Sequence, residues 1–306
     1  MSWHILGAGS IGCLWASRLA HANIPVRLIL RNNAQLNKYK LINRISLSQN
    51  NQTTHYKVPA EIAQQLNLPP IRRLLLACKA YDAEKAVRQL SHRLDKNSEL
   101  ILIQNGLGSQ DLVRSNTPES RCILASTTEG AFMKKEFHVT FSGKGMTWLG
   151  DPQHNSAPSW LKELTLSQIP HQWTSEILSR QWLKWALNCA INPLTVIKNV
   201  PNGALLEDKH YLKILCDELT LILKAHGYLL PKVNIYQETL KVLKATAHNF
   251  SSMHQDIAQK KPTEINFLLQ KAIDFSYEKQ LTTPSLIDLN HKLLLHIKNN
   301  NTPSYL

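Results

Sequence analysis

The chain has 306 residues, of which 43% are hydrophobic and 19% are charged. This composition supports a substantial buried core, so a mostly disordered chain is excluded and two domains are expected. The formal charge of +13 is spread along the chain and forms no basic run interleaved with aromatic residues, so nucleic-acid binding is not expected.

Cysteines, histidines and apolar runs give no indication of a disulfide framework, a metal site or a membrane segment. The five cysteines are odd in number and far apart, which favours reduced thiols in the core. The 13 histidines are scattered without the ligand spacing of zinc sites, so no metal is expected. An uncharged apolar run of about 18 residues and a basic leader are both missing. We therefore predict a cytoplasmic protein without a membrane partner.

The first half of the chain alternates short apolar runs with amphipathic segments, which is typical of βαβ units. We predict an α/β domain with a doubly wound, mainly parallel sheet over residues 1–172. The predicted strands are Trp3–Leu6, Val26–Leu30, Leu74–Cys78, Leu100–Gln104, Ile123–Ser126, His138–Phe141 and Thr147–Leu149.

From about residue 173 the pattern changes to long stretches with a helical period. A polar segment at 151–159, rich in Pro, Ser, Asn and Gln, is predicted as a surface loop near this change. We predict an all-helical second domain over residues 173–306. Its helices are predicted at 177–191, 211–226, 233–248, 262–278 and 285–298.

A glycine-rich motif follows the first predicted strand and opens an amphipathic helix that extends to about His21. A strand, a glycine turn, a helix and a second strand within about 30 residues are typical of a Rossmann-type dinucleotide-binding unit. The glycines let the backbone approach the pyrophosphate, whose charge lies at the helix N-terminus. A turn with only a structural role is the alternative. The predicted cofactor-binding residues are Gly7, Ala8, Gly9, Ser10, Ile11 and Gly12.

Polar residues also follow three predicted strands, at the sheet edge where open α/β folds bind ligands. Arg31 stands at the end of the second strand, where an acid would bind the ribose 2′-hydroxyl of NAD. A guanidinium pairs instead with the 2′-phosphate of NADP, so NADP is the predicted cofactor. Lys79 and Asn105 follow two further strands. We predict that they contact the cofactor or a substrate carboxylate, and a solvated lysine and a turn asparagine are the alternatives.

The stretch 182–194 combines apolar residues with three polar ones at helical spacing. Lys184, Asn188 and Asn192 are four residues apart and share one helix face. One amine and two amides are costly to bury without partners, which favours a functional site over an exposed polar stripe. Pro193 disfavours helical geometry at Asn192 and is expected to end or kink the helix there.

Glu264 follows Pro262, and proline is typical of the first turn of a helix. An acid near a helix N-terminus is favourable by itself. The residues alone therefore leave open whether Glu264 stabilises a helix or takes part in a site.

Together these motifs resemble the ketopantoate reductase family. The resemblance extends from residue 5 to about 290, and the blocks 184–203 and 251–264 are its specific parts. The matching segments are Gly7–Gly12, Lys79–Tyr81, Asn105–Gly108, Lys184 with Asn188–Thr195, Pro201–Gly203, Ser251–Met253 and Thr263–Ile265.

The resemblance implies an active site in a cleft between a Rossmann domain and a helical domain. It implies reduction of 2-dehydropantoate (ketopantoate) to pantoate with NADPH, in the route to pantothenate and coenzyme A. Lys184 would be the general acid, and Glu264 would bind the substrate hydroxyl and help set Lys184. Asn105 would lie beside nicotinamide and substrate, with Arg31 and Lys79 toward the cofactor phosphates. The residues implied to hold the substrate are Asn188, Asn192, Asn202 and Ser252.

Four positions depart from the family pattern, and they leave the fine choice of substrate open. One alternative is a related reductase of another small branched 2-oxo acid. Another is a dinucleotide-binding regulator without turnover, although binding alone has no need of an acid such as Lys184. The sequence does not distinguish a monomer from a homodimer. The departures are Asn266 in place of an acid, Lys260 and Lys261 in place of a Gly-Arg-like turn, and Gln280 in place of glycine.

Overall fold

A computed structural model describes residues 1–65 and 67–299 of the chain. The chain divides into two compact units. The first comprises Met1–Gln104 with Ser109–Ile177, and the second comprises Asn105–Gly108 with the chain from Leu178 onward.

The first unit contains twelve strands and five α-helices among its described residues. The strands are β1 Trp3–Leu6, β2 Val26–Leu30, β3 Ile45–Gln49, β4 Gln52–Tyr56, β5 Ala60–Ile62, β6 Arg73–Leu76, β7 Glu99–Leu102, β8 Arg121–Thr127, β9 Gly130–Lys135, β10 His138–Gly143, β11 Thr147–Gly150 and β12 His171–Trp173. The helices are α1 Ser10–His21, α2 Asn33–Ile42, α3 Ala80–Arg88, α4 Ser109–Asn116 and α5 Leu161–Leu166, with a short 3₁₀ helix at Ser91–Arg93.

The main sheet has eight strands in the order β12-β11-β8-β7-β6-β1-β2-β5. From β8 to β5 all neighbours are parallel, whereas β11 runs antiparallel to β8. All four residues of β1 and of β6 are buried, as expected for a parallel sheet covered on both faces. The parallel part has the strand order of a Rossmann fold, which confirms the predicted α/β class.

A second sheet of four strands, in the order β4-β3-β10-β9, packs against α1. Of its strands, only β10 is among those that we predict from the sequence. β3 and β4 form a hairpin through Asn50 and Asn51, which both have positive φ angles, of 51° and 61°. Asparagine tolerates this left-handed region, so the Asn-Asn pair is a hairpin signal that the prediction missed.

The regular elements of the second unit are helices throughout the part of the chain that is described, as predicted. Buried residues of α6 and α7 contribute much of its core. The helices are α6 Ile177–Lys198, α7 Lys209–Ala225, α8 Ile235–Ala245, α9 Ser252–Ala258, α10 Leu269–Glu278 and α11 Pro284–Asn299, with 3₁₀ helices at Asn202–Asp208 and Ile265–Phe267.

Of the two outcomes predicted at Pro193, an end or a kink of the helix, the end is wrong, because α6 continues to Lys198. The residues around the proline are deeply buried, with Leu194 and Val196 each 2% exposed. Burying such side chains contributes about 2 kcal/mol each. This packing offsets the lost backbone hydrogen bond, which costs about 3 kcal/mol in a helix interior.

Protonation of His4 is expected to weaken the fold in mild acid. Burial first, and then the charges of Arg93 and Arg27, lower the pKa of His4 from 6.5 to about 4. In the unfolded chain His4 therefore binds a proton near pH 6.5, whereas in the folded chain it binds one only near pH 4. The free energy of unfolding should thus decrease as the pH falls through this window.

Urea unfolding at pH 7 and pH 5 measures the effect. We expect the loss of unfolding free energy between these two pH values to be about 2 kcal/mol smaller in His4→Gln than in the wild type. Equal losses in both proteins would show that His4 does not carry this dependence.

Candidate active site

The glycine turn between β1 and α1 is shaped by close backbone contacts. Gly7 has a φ angle of +109°, a conformation that side-chain-bearing residues rarely adopt. A Cβ atom there would lie 2.7 Å from the backbone nitrogen of Cys78. At Gly12, in the first turn of α1, a Cβ atom would overlap the carbonyl oxygen of Gly7. These two glycines are required by the tight turn and by the close packing of α1 on the turn.

Gly9 is different, because the protein itself leaves room for a side chain there. Among the described residues, and leaving aside its two chain neighbours, the one atom within 4 Å of a Cβ atom built at this position is the carbonyl oxygen of Ala77, at 3.9 Å. Gly9 caps the N-terminus of α1 without a side-chain hydrogen bond to the helix. A glycine that the fold does not require, at an uncapped helix N-terminus, fits the close approach of a pyrophosphate. The turn therefore fits a dinucleotide.

Arg31 and Lys79 lie at the carboxyl edge of the main sheet, as predicted. Arg31 directly follows β2, and Lys79 is the N-cap residue of α3, three residues after β6. The Arg31 side chain is 67% exposed and forms an ion pair with Asp82 in the first turn of α3. Lys79 is half-buried.

Asp82, the ion-pair partner of Arg31, is a residue at this edge that was not predicted from the sequence. Its side chain is 21% exposed, and burial raises the pKa of its carboxyl group while the Arg31 charge opposes that shift. The two residues are 51 positions apart in the chain, so a local pattern cannot reveal the pair. An acid three residues after the strand-end lysine was the available signal.

In the second unit, α6 presents the three predicted polar residues on one face. Lys184 and Asn188 are half-buried, and Asn192 is buried. The alternative of an exposed polar stripe is therefore excluded.

Lys184 is brought together with Asn105. The Lys184 Nζ atom donates a hydrogen bond of 2.8 Å to the Asn105 Oδ1 atom. Burial lowers the pKa of Lys184 to about 8, and the negative charge of Glu264 opposes this shift. An amine with this pKa exchanges protons readily near neutral pH.

The position of Asn105 depends on the segment that follows it. Gly106 has a φ angle of +81°, and a Cβ atom there would lie 2.6 Å from the Cβ atom of Phe267. The backbone N–H of Leu107 donates a hydrogen bond of 3.1 Å to the Phe267 carbonyl oxygen. These contacts hold the segment Asn105–Gly108 within the helical unit, where the Asn105 amide meets the lysine.

Glu264 does not lie in the first turn of an α-helix, so that part of the prediction is wrong. The residues from Pro262 to Glu264 are irregular, a 3₁₀ helix follows at Ile265–Phe267, and α10 begins only at Leu269. Glu264 is 5% exposed. A buried acid in this position affects the ionisation of Lys184 and does not stabilise an α-helix N-terminus. Its role in a site remains a prediction.

The other predicted substrate residues occupy two further places in the helical unit. Asn202 is 7% exposed, and its Nδ2 atom donates a hydrogen bond of 2.8 Å to Thr246 Oγ1. Its Oδ1 atom is buried and has no hydrogen-bond partner among the described residues. An unpartnered buried oxygen is costly, so it suits a ligand donor. Ser252 begins α9 and is exposed.

A hydroxyl pair connects the end of α6 to the start of α9. Thr195 Oγ1 donates a 2.8 Å hydrogen bond to the Asn192 carbonyl oxygen and lies 2.6 Å from Ser251 Oγ. Ser251 is the N-cap residue of α9, and its Oγ atom accepts a hydrogen bond from the His254 backbone N–H. The pair fixes the backbone next to Asn192 and Ser252.

Two family models match the chain along most of its length. Residues 3–154 match the model described as ketopantoate reductase PanE/ApbA. Residues 176–291 match the model described as ketopantoate reductase PanE/ApbA C terminal. The 2-dehydropantoate 2-reductase of Vibrio cholerae serotype O1 is 29% identical over 284 residues, which cover 92% of each chain.

Solved structures are similar in fold over nearly the full length of the chain. A D-mandelate dehydrogenase solved with NADH and anilino(oxo)acetate has a TM-score of 0.90 at 18% identity, covering 98% of this chain and all of that one. A PanE/ApbA family ketopantoate reductase from Ralstonia eutropha JMP134 has a TM-score of 0.88 at 21% identity, with the same coverage. The matched family models confirm the resemblance drawn from the motifs: the chain belongs to the ketopantoate reductase family of oxidoreductases.

Proposed function

We propose that this protein is an NADPH-dependent 2-dehydropantoate 2-reductase that forms pantoate in the route to pantothenate and coenzyme A. The observation that carries the proposal is the Lys184 amine, half-buried with a pKa of about 8 and hydrogen-bonded to Asn105. A non-catalytic dinucleotide-binding protein has no need of such an amine. Family membership and the relative from Vibrio cholerae support the choice of ketopantoate.

The first unit is proposed to bind the dinucleotide. Gly9, at the N-terminus of α1, leaves space for the pyrophosphate, with Ala8, Ser10 and Ile11 in the same turn. Arg31 would pair with the 2′-phosphate, and Lys79 would contribute a second positive charge. The D-mandelate dehydrogenase structure contains NADH, which supports a nicotinamide dinucleotide as the cofactor. The preference for the 2′-phosphate rests on Arg31. We propose residues 1–172 as the cofactor domain and 173–306 as the catalytic domain, to which the segment Asn105–Gly108 of the second unit also contributes.

The proposed chemistry needs a proton at the ketone oxygen. When bound, NADPH supplies the hydride that the carbonyl carbon accepts. As that bond forms, the C=O π electrons move to oxygen and a negative charge develops there. The Lys184 ammonium stabilises this charge and donates its proton to the oxygen, which gives the alcohol and a neutral amine. Solvent then restores the ammonium group.

The remaining residues are proposed to hold and orient the substrate. Asn188, Asn192, Asn202 and Ser252 offer amide and hydroxyl groups suited to the carboxylate and hydroxyl groups of ketopantoate. Glu264 is proposed to accept a hydrogen bond from the substrate hydroxyl and to keep the lysine protonated. Asn105 is proposed to direct the amine through its hydrogen bond.

A direct assay tests the proposal. Purified protein is mixed with NADPH and ketopantoate, and the loss of nicotinamide absorbance is followed. The same assay is repeated with NADH and with a phenyl-substituted 2-oxo acid, because the structural neighbours include a D-mandelate dehydrogenase. Turnover of ketopantoate with NADPH supports the proposal. Preference for the aryl acid would indicate a related reductase, and binding without turnover would indicate a regulator.

The pH dependence provides a further prediction. Because a general acid must be protonated, kcat/KM is expected to fall above pH 8, following the Lys184 pKa of about 8. Glu264 raises that pKa, so Glu264→Gln should move the basic limb of the profile to lower pH. An unchanged limb in the variant would contradict electrostatic coupling between these two residues.

A further inference from the structure

Resting on the proposed function, we infer that Asp82 is a specificity-determining residue that favours NADH relative to NADPH, in opposition to Arg31. The basis is the ion pair between the Asp82 carboxylate and the Arg31 guanidinium at the carboxyl edge of the sheet. Choice of cofactor then depends on two opposite charges, one supplied by the end of β2 and the other by the first turn of α3.

The location of the pair links it to the nucleotide turn. Cys78 packs its backbone against Gly7, and its thiol is close enough to Asp82 and Arg31 for both charges to act on its pKa. The ion pair therefore lies at the edge of the sheet beside the turn that fits a pyrophosphate. A ribose attached to that pyrophosphate comes within reach of this edge in Rossmann folds.

The two side chains differ in their freedom to respond to a ligand. The Arg31 side chain is 67% exposed, so it can turn toward a phosphate group. The Asp82 side chain is only 21% exposed and its backbone belongs to a helix, so it has less freedom to move away. When Arg31 pairs with a phosphate, the Asp82 carboxylate remains nearby as an unfavourable negative charge.

The charge of the ribose substituent decides the sign of the effect. The 2′-phosphate of NADPH is a dianion, which Arg31 attracts and Asp82 repels. The 2′-hydroxyl of NADH is neutral and can donate a hydrogen bond to a carboxylate, the role that an acid after the second strand has in NAD-binding folds. Removing the Asp82 charge should therefore strengthen NADPH binding and leave NADH binding unchanged or weaker.

Dissociation constants of NADPH and NADH are measured by quenching of protein fluorescence for the wild type, Asp82→Asn and Asp82→Ala. We expect the ratio of the NADH constant to the NADPH constant to rise about tenfold in both variants. The matched control is Glu84→Gln, which removes a negative charge from the same helix. Glu84 pairs with Arg88 instead of Arg31. The ratio of the two dissociation constants in Glu84→Gln should therefore stay within about twofold of the wild-type ratio.

The outcomes separate this inference from the proposed function. If the wild type binds NADPH and both Asp82 variants keep the wild-type ratio, the inference is overturned and the proposed function stands. An equal change of this ratio in Glu84→Gln would also overturn the inference, because the cause would then be the net charge of the protein. If the wild type binds neither dinucleotide, the proposed function fails and the inference with it. Retained NADH binding shows that each variant is folded.

Discussion

Replacing Lys184 with alanine is expected to lower kcat for ketopantoate by about 10²- to 10⁴-fold, the usual contribution of a positioned general acid. The alkoxide that develops during hydride transfer would lose both its proposed proton donor and the positive charge of that ammonium group. Because this interaction strengthens only as charge develops, the loss should be in kcat and in kcat/KM alike. Affinity for NADPH should remain near the wild-type value, since Gly9, Arg31 and Lys79, which are proposed to hold the cofactor phosphates, are in the first unit.

The matched control is Lys198→Ala on the same helix. Lys198 is the last residue of α6, its side chain is 42% exposed, and it forms an ion pair with Asp208. Its removal takes the same charge from α6 but should leave turnover unchanged. Stopped-flow absorbance of the nicotinamide band measures the hydride transfer step in each variant. Wild-type rates in Lys184→Ala would remove this residue from the chemistry and leave the reaction without its proposed proton donor.

The parallel core of the first unit could be predicted because its strands are buried on both faces. Such strands are continuous apolar runs, and β1 and β2 match their predicted bounds. β6 and β7 end two residues earlier than predicted, at Leu76 and Leu102. After Leu76 the backbone leaves the sheet and packs against Gly7. A close backbone approach of this kind does not change local hydrophobicity, so the apolar run alone overestimates the length of the strand.

The second sheet could not be predicted by the same signal. All but the last residue of β4 is exposed, and β9 is at most half-buried, so neither strand forms an apolar run. Each strand pairs with its neighbour in the chain, β4 with β3 and β9 with β10. The two hairpins are joined by the pairing of β3 with β10, which are distant in the sequence. Tertiary pairing of this kind overrides weak local preference.

The residues of the candidate site also fall into a group that local spacing predicts and a group that depends on tertiary contacts. Lys184, Asn188 and Asn192 could be predicted because helical spacing alone brings them to one face. The carboxylate beside Arg31 and the hydroxyl pair of Thr195 and Ser251 depend on contacts between separate elements. Their residue types are present in the sequence, but no local pattern connects them.

Replacing Arg31 with alanine is expected to raise the NADPH dissociation constant by about 10- to 150-fold, since a hydrogen bond between charged partners contributes about 1.5–3 kcal/mol. The dissociation constant of NADH, which lacks the 2′-phosphate, should change by less than about threefold, the effect of a weak surface ion pair. The variant also leaves Asp82 without its positive partner, so repulsion of the phosphate adds to the lost attraction. Fluorescence titration with both dinucleotides measures the two constants under the same conditions.

Arg88→Ala is the matched control, because Arg88 is 64% exposed and pairs with an acid of α3 in the same way as Arg31 does. Loss of that guanidinium should leave both dissociation constants near their wild-type values, which excludes a general effect of protein charge. The combined variant Arg31→Ala with Asp82→Asn removes attraction and repulsion together. It should recover part of the lost NADPH affinity, because the phosphate no longer meets an unpaired carboxylate. Equal weakening of NADPH binding and NADH binding in Arg31→Ala would show that this arginine does not contact the 2′-phosphate. Other residues would then determine the choice of cofactor.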